Sequence, residues 1–207
     1  MPVSFLAAQL RRTGVTSAIP LMAGAAVALV GKAAAAAWSP VQAMALSFGL
    51  QQVFIICAGV SAAVAVTGDP LVELHEATPA TFRRVQLARA AIATASGVVG
   101  AVLMFAPLHL AGVWMHDKGW ITLLSPAGAV IVMAAAAFVA TAFTGAVSTT
   151  AIAVVTTWMF LAMLWDPYVE PLLFQRGVPV LAAGALAAFA WRRLGDAERN
   201  VSRAVTA

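Results

Sequence analysis

The few charged residues of this chain sit at the edges of long apolar runs, and that confinement decides what it can fold into. Only 10% of its 207 residues are charged and 62% are hydrophobic, against roughly half apolar in a soluble domain. A soluble fold of this length needs a charged surface that the composition does not supply. Six apolar runs approach the roughly 20 residues that cross a bilayer core: 16–37, 42–66, 85–108, 121–143, 146–165 and 177–191. The chain is expected to be an all-α polytopic membrane protein, residues 1–207 forming a single transmembrane domain.

Basic residues orient the spans. With both termini inside, the inner segments hold Arg11, Arg12, Arg83, Arg84, Arg89, Arg192, Arg193, Arg199 and Arg203, nine of the 12 lysines and arginines. Lys32, Lys118 and Arg176 are left for the outer side. This is the asymmetry that sets membrane topology. Trp38, Trp114, Trp120 and Trp165 then fall near the outer interface and Trp191 near the inner one, where amphipathic rings settle; Trp158 is the exception. Clustered at membrane edges, the arginines read as anchors beside anionic lipid and give no sign of nucleic-acid binding.

Residues 2–13 place Phe5, Leu6 and Leu10 on one side and Gln9 and Arg12 on another. They are expected to form an amphipathic helix lying on the inner surface. Arg11-Arg12 ahead of an apolar stretch has the outline of an export signal, but cleavage near 33–37 would leave five spans. Cys57, the single cysteine, lies in an apolar run and reads as a small buried hydrophobe.

What the sequence lacks narrows the function. No Asp or Glu falls centrally in a predicted span, so the proton relay of many secondary transporters is missing. Gly31-Lys32 is followed by Ala33 and is no phosphate loop. His75 is expected inside and His109, His116 and Asp117 outside, with no spacing that favours a metal. No hydrolase motif is present, so no catalytic residue is assigned. Hydroxyls within spans more often bond helix backbone than cargo. For a translocation path, the candidates are Gln51, Gln52, Thr156, Thr157 and Trp158, a weakly polar, uncharged lining suited to amphiphilic cargo.

The polar segment 68–84 is the expected cytoplasmic loop. Asp69 can cap a short helix that starts at Pro70, because proline needs no N–H donor there. Leu71 and Leu74 share one face and Glu73 and Glu76 another. Thr78-Pro79 ends it, and Arg83-Arg84 leads into the third span. Two readings stand: a solvated connector, or a docking element for a partner protein.

Glu73-Leu74, Thr78-Pro79 and Arg83-Arg84, set in this order of spans, resemble the permease subunits of the ABC-2 class, the type V ABC exporters. Asp69-Pro70 stands where such permeases often carry basic residues. The resemblance implies six helices with both ends inside and a coupling helix formed by Leu71, Glu73, Leu74, Glu76, Thr78, Pro79 and Phe82. It implies separate ATPase subunits that carry ATP and Mg, a second permease, identical or homologous, and no cofactor on this chain. It also implies a re-entrant outer segment at 166–176, for which an ordinary interfacial loop is the alternative. The function expected is export of an amphiphilic or hydrophobic substrate (a drug, peptide antibiotic or lipid-like molecule) across a bacterial inner membrane. The competing reading is a non-transporting assembly or sensor protein whose loop binds a regulator.

Overall fold

The computed structural model describes the backbone of residues 3–67 and 82–195 and the side chains of 8–67 and 82–195. Leu71, Glu73, Leu74, Glu76, Thr78 and Pro79 lie outside the described residues. The described residues form helices and no strand: α1 (Val3–Ala37), α2 (Pro40–Val66), α3 (Phe82–Leu110), α4 (Leu124–Thr144), α5 (Val147–Met159) and α6 (Leu172–Arg193). A 3-10 turn, Trp120–Leu123, leads into α4, and α5 continues as a π-helix over Phe160–Trp165. Six helical segments are long and apolar enough to cross a membrane.

Local chemistry explains most of the ends. Pro40 opens α2 behind Ser39, whose backbone N–H donates to the Gln42 side chain. Gly145 adopts a left-handed conformation and donates its N–H to the Thr141 carbonyl, which stops α4 at little steric cost. Thr141 and Thr150 then share a hydroxyl hydrogen bond of 3.1 Å across the α4–α5 turn.

Two helices contain prolines whose missing N–H is answered from a neighbour. Pro20 in α1 leaves the Thr16 carbonyl without its i+4 donor, and the Ser61 hydroxyl of α2 donates to that oxygen. Pro179 in α6 does the same to Gln175, whose carbonyl accepts from the Trp165 indole N–H at 2.7 Å. An unsatisfied carbonyl in hydrocarbon is costly, so each proline is paired with a polar side chain on another element.

Helix α4 is the hub and packs against α2, α3, α5 and α6, while α1 packs against α2 and α3. The α1–α3 crossing is close because Gly24 faces the backbone of Gly100, and Gly100 faces the Pro20 carbonyl. Without Cβ atoms at these points, dispersion contacts form between backbones, as is usual for helices packed in lipid. The core runs through Phe54, Met104, Phe105, Leu108, Val130 and Met133. Helices α5 and α6 turn Ile152, Met159, Leu164, Leu181 and Phe189 outward, the composition of a lipid-facing surface.

The sequence reading needs one change here. The break expected after residue 13 is absent, and 2–13 does not form a separate surface helix from Val3 onward: α1 continues unbroken to Ala37. Gln9, Thr13 and Ser17 are buried, and Gln9 accepts a hydrogen bond from Arg89 of α3 at 3.2 Å, so this stretch packs along the bundle. At about 1.5 Å per residue α1 is roughly 50 Å long. Within 166–176, residues 166–171 turn and α6 begins at Leu172 behind Pro171.

Candidate functional site

A cavity of about 540 Å³ lies at the end of the bundle that carries the 111–119 and 166–171 connections. One wall is α2, where Phe48, Gln51 and Gln52 stand at i, i+3 and i+4 and so share a face. Gln51 follows Pro40 by eleven residues, a depth of about 16 Å along α2, so the floor is far from the helix end.

A second wall comes from the α3–α4 connection, through Trp114, Met115, His116 and Lys118. This loop is packed. Trp114 is buried and meets Phe105 edge-on at 5.0 Å, and His109 stacks on Phe105 at 5.1 Å. Asp117 pairs with His109 and accepts the Gly119 N–H at 2.8 Å. Lys118 donates its backbone N–H to the Thr122 hydroxyl at 2.8 Å. His116 has a positive φ of 56°, a conformation that side-chain-bearing residues adopt only when their surroundings hold them there.

The third wall joins the end of α5 to the start of α6 through Ala162, Asp166, Glu170, Leu172, Gln175 and Arg176. Arg176 is 5% exposed and grips Asp166 through both terminal nitrogens, each at 2.7 Å. Its stem crosses α4 at Gly128, where an added Cβ would stand 3.0 Å from the Arg176 Cβ. Gln175 adds a hydrogen bond from its side-chain amide to the Asp166 carbonyl at 2.9 Å. The π-helix sets this geometry, since the Asp166 N–H bonds the Leu161 carbonyl five residues back at 2.8 Å. Such π segments occur often at functional sites.

The polar character of the floor is amide rather than ionic. The charges of Arg176 and Asp166 cancel within one bidentate pair. Trp158 donates its indole N–H to the Gln52 Oε1 at 3.1 Å. Because indole can only donate, this bond fixes the Gln52 amide and leaves its NH₂ hydrogens unused by it. Gln51 is 7% exposed and has no hydrogen-bond partner among the described residues.

The expected path residues divide accordingly. Gln51 and Gln52 line the cavity and Trp158 holds Gln52, whereas Thr156 is exposed on the outer face of α5 and Thr157 is half-buried; neither threonine lines the cavity. Phe82, the described member of the expected coupling set, is buried with Phe138, Ala142, Ala190 and Leu194 where α3, α4 and α6 meet. It therefore belongs to the packed core of the bundle. The pairing of Arg176 with Asp166 is not an expectation of the sequence, which places Arg176 among the outer basic residues. The signal that joins them is an arginine at the start of an apolar helix, two residues after Leu172-Leu173-Phe174, where a buried guanidinium needs a carboxylate. No metal-binding group of His, Cys, Asp or Glu forms among the described residues.

Comparison with protein-family models, curated proteins and solved structures gives no match to this chain.

Proposed function

We propose that this multi-pass protein is the permease subunit of an ATP-driven exporter of the ABC-2 class, handling a small amphiphilic substrate in the bacterial inner membrane. The observation that carries the reading is the cavity, an amide-lined space reaching deep along α2 in an otherwise apolar bundle. Membrane proteins keep polar groups at such depth where a molecule passes or binds. Its volume falls in the range of small-molecule sites, roughly 300–1,000 Å³. The sequence lacks both a phosphate loop and a central carboxylate in the spans, so energy has to arrive from a partner. The 68–84 segment, with Glu73 and Glu76, is the proposed contact for separate ATPase subunits, and a second permease completes the translocation unit.

Two measurements test this. The purified chain should carry a stoichiometric ATPase and, reconstituted with it in proteoliposomes, should export amphiphile only with ATP. Glu73→Arg combined with Glu76→Arg should abolish that export while leaving thermal unfolding of the membrane domain unchanged. Full export by the double variant removes the docking assignment. Purification with a non-hydrolysing regulator in place of an ATPase favours the assembly or sensor reading instead.

A further inference from the structure

We propose that the cavity selects a neutral amphiphile whose head group both donates and accepts hydrogen bonds, a primary amide being the simplest, and rejects charged heads. The inference rests on the transport reading above and names the substrate class of the same site. Gln51 is more than nine-tenths buried, lines the cavity and has no partner among the described residues. Its amide atoms are not sealed from solvent, so they open into the cavity, and a ligand that replaces water there must present both an acceptor and a donor. The neighbouring Gln52 offers its NH₂ group, its oxygen being held by Trp158. The lining carries no net charge: Arg176 is neutralised by Asp166, and Lys118 and Glu170, both exposed, are of opposite sign. A carboxylate or ammonium brought to the Gln51 level would lose water without gaining a counter-ion. Phe48, Met115 and Leu172 supply apolar surface for a chain.

The test uses the full-length protein in lipid nanodiscs and three probes with one brominated twelve-carbon chain: dodecanamide, dodecanoate and dodecylammonium. Bromine quenches tryptophan fluorescence, and Trp114 lines the cavity. Dodecanamide should quench saturably at a membrane mole fraction at least about tenfold below either ion, the size of effect one buried hydrogen bond produces. Gln51→Leu should raise the half-saturation point about tenfold with thermal unfolding unchanged. Should the leucine variant not fold, Gln51→Asn retracts the amide by one carbon and should weaken binding in the same direction. Equal or tighter binding of an ion, non-saturating quenching by all three probes, or wild-type affinity in the folded variant overturns the proposal. No ATPase or nucleotide enters this assay, so its failure is separate from failure of ATP-driven export.

Discussion

At the residue scale, the prolines show how the chain keeps backbone polar groups satisfied in an apolar interior. Pro20 is fully buried and removes the N–H that would close a helical turn on Thr16. Ser61 replaces it from α2. The serine is 1% exposed, so water cannot substitute when the hydroxyl is removed. Ser61→Ala should therefore destabilise the bundle by about 1–3 kcal/mol, the cost of one orphaned buried acceptor, read as a lower unfolding midpoint in detergent. Pro20→Ala in the same background restores the helical donor and should recover most of the loss. A destabilisation that persists in the double variant would show that Ser61 acts by packing. The same logic links Pro179, Gln175 and Trp165, and there it also fixes one wall of the cavity.

At the element scale, the α5–turn–α6 corner depends on one ion pair and one glycine. Arg176 lies across Gly128 to reach Asp166. Removing one partner of a buried pair strands the other charge, which costs about 3–5 kcal/mol when fully buried. Asp166 keeps some solvent contact, 21% of its side chain, so Asp166→Asn should cost on the order of 3 kcal/mol or less. Asp166→Asn with Arg176→Gln should cost less than the sum of the single changes, a coupling measurable by a thermal-unfolding cycle. Strict additivity would mean the pair does not hold the corner.

Much of this architecture was legible in the sequence, since runs of twenty apolar residues have few other uses. The ends of α2 and α6 moved outward to Pro40 and Leu172 because prolines start helices as readily as they stop them. The π-helix left no mark, as no residue type demands one. Thr156 and Thr157 fall outside the cavity lining; α5 also carries Ser148, Thr149 and Thr150, so the sequence offers several hydroxyl positions and no sign of which face turns inward. In α2, Gln51 and Gln52 are neighbouring amides within the apolar span, and both line the cavity.

At the scale of the whole molecule, the ends of the bundle differ in charge. Arg11, Arg12, Arg83, Arg84, Arg192 and Arg193 collect at the end where α1 and α3 begin and α6 finishes. Several of them lie against that end of the bundle: Arg83 sits over Trp191 at 5.1 Å and Arg193 over Phe143 at 4.3 Å. The cavity end holds Lys32, Lys118 and Arg176, and the Arg176 charge is already cancelled by Asp166, so its effective positive charge is smaller than the sequence count implies. On the positive-inside rule we expect the cavity outside and the 68–84 loop inside, the arrangement that the exporter reading requires. Single-cysteine variants decide it. With Cys57 replaced by alanine, Lys118→Cys should react with a membrane-impermeant maleimide on intact cells, whereas Arg12→Cys should react only after permeabilisation. Both native residues are exposed on the protein surface, so packing within the bundle does not block labelling. Reversed labelling would turn the cavity toward the cytoplasm and place Glu73 and Glu76 beyond the reach of any cytoplasmic ATPase, and the exporter reading would fall with it.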